Sequence, residues 1–299
     1  MQPTTIIRAI ALALTLGATS AAAQTTPDPA PAPAPVQMQM QMQHIRNATA
    51  KITYAGQTFL VDPLLAPKGA YPGFEGTFHS EQRNPLVDLP MTTDEVMAGV
   101  DAVIVTHTHL DHWDGGEHEL VRKDVPLFVQ HEADAAMVRK QGYTDVRILG
   151  VNTDFKGVNL SKIGGQHGNN AMYANDALRA GLGEAMGVVF QAPRSPTVCF
   201  AGDTIWHREV DQSLEQFTPD VIVLNTGEAR MKGFTGSIIM SKDDVLHAAQ
   251  AAPGATIVAV HMDAINHMTL SRADLRDYVA QNGIEEQVRI PADGEILTF

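Results

Sequence analysis

The segment Val103–Asp114 reads Val-Ile-Val-Thr-His-Thr-His-Leu-Asp-His-Trp-Asp, so three histidines and two aspartates follow an apolar, β-branched run. The run is short and apolar on both faces, which predicts a buried strand. A buried strand cannot carry this much polar chemistry along its length. We therefore expect the polar residues in the loop beyond the C-terminal end of the strand, where α/β sheets usually hold their ligands.

The residue types in this loop predict a site for divalent metal ions, because such ions are bound by imidazoles and carboxylates. His107 and His109 are two residues apart, so they point the same way in an extended segment. Asp111 and His112 follow as the chain turns and can face a second ion. The alternative, a solvated polar loop, is disfavoured because this spacing rarely arises by chance.

The pattern His-x-His-x-Asp-His from His107 to His112, placed after an apolar strand, resembles the metallo-β-lactamase-fold superfamily. With the aromatic residue and Asp114 that follow, it resembles the ascorbate-phosphate-lactonase-like hydrolases of that superfamily. The resemblance extends over residues 37–299. It implies an α/β (α+β) fold, a four-layer αββα sandwich in which two mixed sheets lie face to face with helices outside.

Three more residues complete the ligand set that the resemblance implies. His167 follows two glycines after a predicted strand, and a loop histidine without a ligand role is the alternative. Asp203, in Gly-Asp-Thr after another strand, would bridge two ions or else be a turn residue. His261 stands at the end of the apolar strand 256–260. The implied set assigns one ion to His107, His109 and His167, and the other to Asp111, His112 and His261, with Asp203 bridging them.

The resemblance implies a metal-dependent hydrolase that acts on a small-molecule substrate. Two divalent ions, with zinc favoured and manganese or iron as alternatives, would lower the pKa of a shared water and supply hydroxide near neutral pH. The bridging hydroxide would cleave an ester, lactone or phosphodiester, with Asp111 and Asp203 as catalytic residues. The acid that protonates the leaving group is not evident. The alternatives are β-lactam hydrolysis, iron-dependent oxidative chemistry and a non-catalytic metal-binding module.

Composition is that of a large globular domain: 299 residues, 44% hydrophobic and 18% charged. The net charge is −13 and no basic cluster is visible, which argues against a nucleic-acid partner. The single cysteine, Cys199, excludes an intramolecular disulfide. The sequence leaves the oligomeric state open.

The N-terminal residues predict export. Residues 1–23 have the order of a secretory signal peptide: the charge of Arg8, a short apolar run from Ile10 to Leu16, and small residues before Gln24. Residues 24–36 are rich in proline and alanine and predict a disordered, partly extended linker. Residues 37–299 form the predicted hydrolase domain. The mature protein is expected to be periplasmic or secreted, without a membrane span after removal of the signal.

The first part of the predicted domain leaves several alternatives open. Methionine alternates with glutamine in residues 37–43, which favours a strand with Met38, Met40 and Met42 toward the core over a copper(I) site. A hairpin follows, with Asn47 where the resembled family often has histidine. Asp62 either supports a metal ligand or is a turn residue before a proline. Asp114 with Glu117 predicts a helix capping box, which is compatible with support of the metal site.

Two segments are expected to shape the substrate site. Residues 63–90 are rich in glycine and proline, which predicts a flap over the site; the alternative is a structural excursion packed on the edge of the sheet. Residues 169–183 are expected to form a second, mobile loop. The candidate substrate-binding residues are Tyr71, Phe74 and His79 in the flap, Tyr173 in the second loop, and His267 after the last ligand. For His267, proton donation and a helix start are both open.

Overall fold

The computed structural model describes Met1, residues 39–114 and residues 120–299. The predicted signal peptide and linker, Met38 and the capping partner Glu117 lie outside the described residues. The described residues from 39 onward belong to one compact unit, Val36–Phe299. None of the helices in the described ranges combines the length and the hydrophobicity that crossing a bilayer requires.

The described residues form fourteen strands and seven helices. In chain order the strands are β1 (Gln41–Arg46), β2 (Thr49–Tyr54), β3 (Gln57–Val61), β4 (Ala102–Ile104), β5 (Leu127–Val129), β6 (Val146–Ile148), β7 (Thr153–Phe155), β8 (Val158–Gly165), β9 (Ala185–Gln191), β10 (Val198–Phe200), β11 (Val221–Asn225), β12 (Thr256–Val260), β13 (Val288–Arg289) and β14 (Ile296–Thr298). The helices are α1 (Thr93–Met97), α2 (Glu132–Lys140), α3 (Asn170–Tyr173), α4 (Asp176–Leu182), α5 (Arg208–Phe217), α6 (Lys242–Ala251) and α7 (Arg272–Asn282).

The strands of the described residues form two seven-stranded mixed sheets. One has the order β14-β1-β2-β3-β4-β5-β6 and the other β13-β12-β11-β10-β9-β8-β7. In the first sheet β1, β2 and β3 pair antiparallel, and β3 to β6 pair parallel. In the second sheet β10 to β13 pair parallel, and β7 to β10 pair antiparallel.

The central core lies between the two sheets, because side chains that alternate along each strand meet there. Phe59 of the first sheet packs edge-to-face against Phe190 of the second, with ring centroids 5.2 Å apart. Two outer clusters join α1 and α2 to the first sheet, and α5, α6 and α7 to the second. The layer order is therefore αββα, as the resemblance predicted.

The methionine tract and the second predicted loop have different outcomes. Met40 and Met42 are both buried in the central core, as predicted; Met42 lies in β1, whereas Met40 directly precedes that strand. Residues 169–183 are not a structureless loop, because α3 and α4 lie within them. The side chains of Asn169 and Asn175 accept hydrogen bonds from the backbone amides that begin α3 and α4. These two asparagines act as helix N-caps, a role that the prediction of a loop overlooked.

Candidate metal centre and substrate cavity

The candidate ligands lie where strands end. The loop after β4 carries four of them, and His167, Asp203 and His261 follow β8, β10 and β12. Strands β8, β10 and β12 run in the same direction, because β8 and β10 are both antiparallel to β9 while β10 and β12 are parallel to β11. Their C-terminal ends therefore meet at one edge of the sheet.

Gly202 allows the tight turn that leads from β10 to Asp203. Its φ is +71°, and a Cβ at this position would lie 2.2 Å from the carbonyl oxygen of Met186. Any other residue would clash with the backbone of β9, so only glycine lets the chain turn there. Gly202 is thus required by the close approach of two strands, whatever the role of Asp203.

One group of candidate ligand atoms belongs to His107, His109 and His167, and these atoms lie within 4.8 Å of one another. Nε2 of His109 donates to the carbonyl of Gly181 over 2.9 Å, and Nδ1 of His167 donates to the carbonyl of Ile238 over 2.8 Å. In a neutral imidazole the other ring nitrogen then carries a lone pair. These hydrogen bonds therefore aim Nδ1 of His109 and Nε2 of His167 into the cluster as acceptors.

The second group belongs to Asp111, His112 and His261. Nε2 of His112 lies 2.9 Å from Nε2 of His261, and Nε2 of His261 lies 3.5 Å from Oδ2 of Asp111. Nδ1 of His112 donates a hydrogen bond to Oδ2 of Asp62 over 2.8 Å. Two facing nitrogens at this distance satisfy each other only through a proton or a cation between them.

Asp203 contacts both groups. Its Oδ2 lies 3.1 Å from Nε2 of His112, 3.7 Å from Nε2 of His167 and 3.9 Å from Nε2 of His107. Its Oδ1 lies 3.6 Å from Nε2 of His261. The carboxylate of Asp203 therefore lies within reach of both groups of ligand atoms.

The electrostatics of the cluster favour cations. Burial lowers the pKa of His167 to about 4 and also lowers the pKa values of His107 and His261. Burial alone would lower the pKa of His112 too, but the charges of Asp203, Asp62 and Asp111 together raise it well above the ordinary 6.5. In the metal-free protein a proton is therefore held among carboxylates, and a divalent cation can replace it. The lone pairs and carboxylates of the set fit divalent metal ions.

Three residues around the ligands make contacts that the sequence left open, whereas the capping box of Asp114 with Glu117 lies outside the described residues. Oδ1 of Asp62 accepts from the amide of Thr106 over 2.7 Å, so Asp62 supports both His112 and the loop after β4. Nδ2 of Asn47 donates to the carbonyl of Asp111 over 2.9 Å. Asp114 accepts from the amides of Leu65 and Ala66, so it anchors the start of the flap.

A cavity of about 270 Å³ opens onto the cluster. Asp111, His167 and Asp203 contribute to its floor, and the walls include Phe74, Leu178, Leu182, Met231 and Ile238. The described lining contains no lysine or arginine, and its one acidic side chain outside the candidate ligands is Glu75. The cavity therefore suits an uncharged, apolar group held above a metal-binding floor.

The structure brings only two of the five candidate substrate-binding residues to the described cavity lining. Phe74 and His267 lie there, and burial lowers the pKa of His267 to about 4. Tyr71 packs instead in a buried apolar cluster with Leu64, Ala66 and Ile265. The imidazole of His79 is 54% exposed, on the outside of the flap. The hydroxyl of Tyr173 donates to the carbonyl of Gly183 over 2.8 Å, so it holds the end of α4.

The flap is fastened to the loop after β12 through Asn266. Oδ1 of Asn266 accepts from the amide of Phe74 over 3.1 Å and from Nδ2 of Asn84 over 2.7 Å. Nδ2 of Asn266 donates to the carbonyl of Phe78 over 2.7 Å. A buried side-chain amide whose oxygen and nitrogen are both hydrogen-bonded in this way fixes the flap as a wall of the cavity.

Sequence reasoning missed several residues of the site. Asn225 ends β11 and donates from Nδ2 to Oδ1 of Asp203 over 2.6 Å. Its position at the end of a buried strand, beside the strands that lead to Asp203 and His261, is a signal that could have identified it. The wall residues Leu178, Met231 and Ile238 carry no comparable signal, because apolar residues occur throughout the chain.

The αββα fold and the His/Asp cluster at the strand ends define a metallo-hydrolase class. Residues 57–262 match the family model described as a beta-lactamase superfamily domain. YddR of Bacillus subtilis, described as a UPF0173 protein, is 41% identical over 255 residues, which cover 85% of this chain and 98% of YddR.

Two solved structures are also similar. A possible metal-dependent hydrolase from Veillonella parvula has 49% identity and a TM-score of 0.85, covering 87% of this chain and 99% of that one. The isothiocyanate hydrolase from Delia radicum gut bacteria has 45% identity and a TM-score of 0.83, with the same coverage of both chains. The chain belongs to the beta-lactamase superfamily, with UPF0173 proteins among its relatives, and it is a metal-dependent hydrolase.

Proposed function

We propose that this enzyme hydrolyses small uncharged substrates at an electrophilic carbon, with isothiocyanates as the first candidate class. The observation that carries the proposal is the cavity, which has apolar walls and a His/Asp floor and lacks a cationic side chain in its described lining. A phosphodiester, or a β-lactam with its carboxylate, would place negative charge near Glu75 and Asp111 with no lysine or arginine to bind it.

We assign one divalent ion to His107, His109 and His167 and a second to Asp111, His112 and His261, with Asp203 between them. Zinc is favoured for the two ions, with manganese or iron as alternatives. Such ions lower the pKa of a shared water, so that hydroxide is available near neutral pH.

The side chains of the chain itself then have distinct roles. Asp111 lines the cavity, where its carboxylate accepts a hydrogen bond from the attacking water and turns the oxygen toward the substrate carbon. Asp203 places a negative charge between the two groups of ligands. Phe74 and Leu182 exclude bulk water from the hydrocarbon part of the substrate.

An isothiocyanate, R–N=C=S, is linear and uncharged and suits this cavity. Addition of hydroxide to the central carbon forms a C–O bond and moves one π pair onto nitrogen or sulfur. Nitrogen takes a proton from water, and transfer of the hydroxyl proton from oxygen to sulfur gives the thiocarbamic acid R–NH–C(=O)–SH, which breaks down to the amine and carbonyl sulfide. The 45% identity with the isothiocyanate hydrolase supports this choice.

A carboxylic ester or lactone is the second candidate substrate class. The wall formed by Leu178, Met231 and Ile238 can hold an acyl chain as well as the hydrocarbon of an isothiocyanate. The more specific similarity to ascorbate-phosphate-lactonase-like hydrolases stays a prediction from the sequence pattern. A phosphodiester is the least favoured of the three bond types predicted from the sequence.

The test is a panel of an aliphatic isothiocyanate, a nitrophenyl ester, a lactone, a bis-nitrophenyl phosphate and a chromogenic β-lactam, each assayed with the zinc-loaded enzyme. We expect the highest kcat/KM for the isothiocyanate, followed through the loss of its ultraviolet absorbance, and loss of activity after chelation. A Leu178→Lys variant should shift preference toward the anionic substrates. Ile296→Lys, at a side chain with 56% exposure outside the cavity, is the matched control. A preference of the wild type for the phosphodiester would overturn the proposal.

A further inference from the structure

His267 is a polar residue of the cavity that the assignment of metal ligands does not use. It is 6% exposed and lines the cavity together with Asp111 and Asp203. It does not belong to any of the three groups of described residues whose ligand atoms lie close enough together to hold an ion. A buried histidine that lines a substrate cavity and is not a candidate metal ligand needs another reason to be there.

The hydrogen bonding of the His267 ring shows which nitrogen is available to a substrate. Nδ1 is buried and has no hydrogen-bond partner among the described residues. A buried N–H without an acceptor is costly, so the tautomer that carries its proton on Nε2 is favoured. Because Nδ1 lies inside the wall and the ring lines the cavity, the Nε2–H donor is the group that faces a bound substrate.

The orientation of this donor is set in advance by its surroundings. The ring of Phe74 packs edge-to-face against the imidazole with centroids 5.3 Å apart. The amide of Phe74 is bound by Asn266, the residue next to His267, and the carbonyl of His267 accepts from the amide of Arg230 over 3.1 Å. A donor held in place before the reaction needs no reorganisation when charge develops beside it.

We propose that His267 is the hydrogen-bond donor that stabilises the negative charge developing on the substrate heteroatom during hydrolysis. This inference rests on the proposed function. As hydroxide forms its bond to the central carbon of the isothiocyanate, a π pair moves onto nitrogen or sulfur, and that atom accepts the Nε2–H of His267. The proton stays on His267, and the heteroatom later takes its proton from water. The role is that of one donor in an oxyanion hole, so His267 is a catalytic residue by contact with the reacting group.

The first experiment compares His267→Leu with His267→Gln in the zinc-loaded enzyme. Leucine fills similar space without a donor, whereas glutamine keeps an N–H donor. We expect His267→Leu to lower kcat by roughly 10²-fold with a small change in KM, as for the loss of one oxyanion-hole donor, and His267→Gln to recover part of the loss. Zinc content and circular dichroism should match the wild type, because His267 is not assigned as a ligand. Phe74→Leu is the control for packing, and it should change KM more than kcat.

A second measurement is independent of activity. In the long-range ¹H–¹⁵N spectrum of the zinc-loaded enzyme, the His267 ring should show the Nε2–H tautomer, and an unreactive thiocarbamate should shift its Nε2 resonance. Equal kcat for His267→Leu and the wild type, loss of zinc from His267→Leu, or an Nδ1–H tautomer would each overturn the role. If the wild type hydrolyses the ester and not the isothiocyanate, the proposed substrate fails and the same variants are compared on the ester. The two failures are therefore distinguishable.

Discussion

Nδ2 of Asn225 donates a hydrogen bond to Oδ1 of Asp203 over 2.6 Å, and Oδ2 of Asp203 then faces His107, His112 and His167. This hydrogen bond fixes the carboxylate, and Oδ1 also lies 3.6 Å from Nε2 of His261. An asparagine at position 203 could keep the accepting oxygen for Asn225 while removing the charge. This makes Asp203→Asn a substitution that tests the bridge with little disturbance of the fold.

Asp203→Asn is expected to lower the metal content from about two ions per chain toward one, because a neutral amide does not offset the repulsion between two cations. Hydrolysis should fall by roughly 10²-fold or more, while circular dichroism stays near that of the wild type. Elemental analysis after gel filtration measures the metal content. Asp124→Asn, at a side chain with 79% exposure, is the matched control. Unchanged metal content and turnover in Asp203→Asn would reduce Asp203 to a turn residue.

Asn47 joins the backbones of two candidate ligands of the second ion. Its Nδ2 donates to the carbonyl of Asp111, and its own carbonyl accepts from the amide of His261 over 2.9 Å. Its φ is +60°, which glycine adopts without strain, so Asn47→Gly removes the side chain and keeps the turn.

Asn47→Gly is expected to weaken the ion at Asp111, His112 and His261 by about 10- to 100-fold and to leave the other ion bound. Titration against a chromogenic chelator resolves the two affinities. Asn152→Gly, an exposed turn residue with φ +57°, is the control for the substitution itself. Equal weakening of both ions would mean that Asn47 supports the whole loop rather than one site.

His112 makes the stability of the metal-free protein depend on pH. Burial opposes its charge, but Asp203, Asp62 and Asp111 raise its pKa well above 6.5. A pKa that is raised in the folded state contributes stability that is fully present below the unfolded pKa and is lost as pH rises through the folded value. The metal-free protein should therefore lose stability as pH rises above 6.5. His107, His167 and His261 have lowered pKa values, so their titration affects the stability only below pH 6.5.

Urea unfolding at a series of pH values measures this dependence. Metal affinity should follow the opposite trend and weaken as pH falls, because the proton and the cation compete for His112. Asp62→Asn should reduce both trends, since it removes one of the charges that raise the pKa of His112. Metal-free stability that stays constant or rises above pH 6.5 would contradict this account.

Substitutions of Phe74 and Phe78 distinguish the two interpretations of residues 63–90, a flap over the substrate site and a structural excursion on the edge of the sheet. Phe74 lines the cavity, whereas Phe78 is 36% exposed and lies outside the described lining. Phe74→Ala is expected to raise KM for uncharged substrates by about 10-fold without loss of metal, because it removes an apolar wall. Phe78→Ala should leave KM unchanged. Steady-state kinetics and elemental analysis measure both effects, and equal loss of metal in the two variants would make the flap a structural support.

We propose that residues 1–23 are removed on export and that the enzyme acts in the periplasm or outside the cell. The motivation is the order of charge, apolar run and alanines before Gln24. N-terminal sequencing of the protein from its native host should begin near Gln24. Recovery of the chain with an intact Met1 from the cytoplasmic fraction would contradict the proposal.

The sequence by itself was sufficient for the features that depend on local pattern. The strand before His107 and the polar loop after it follow from the composition and spacing of consecutive residues, and the burial of Met40 and Met42 follows from their alternation. The sandwich came from the resemblance carried by the same loop, since the pairing order of the strands cannot be read from their periodicity.

Tertiary structure decided which distant residues meet. His167, Asp203 and His261 could be placed after strands, but their convergence depends on the direction of β8, β10 and β12 in one sheet. The cavity lining depends on contacts between residues that are even farther apart in the sequence. The side chain of Asn266 accepts a hydrogen bond from the amide of Phe74, 192 residues away. That contact holds Phe74 beside His267, while Tyr71 in the same flap packs in a buried apolar cluster. Segments without periodicity carry no rule for side-chain direction, so only their long-range hydrogen bonds and packing determined which residues face the substrate.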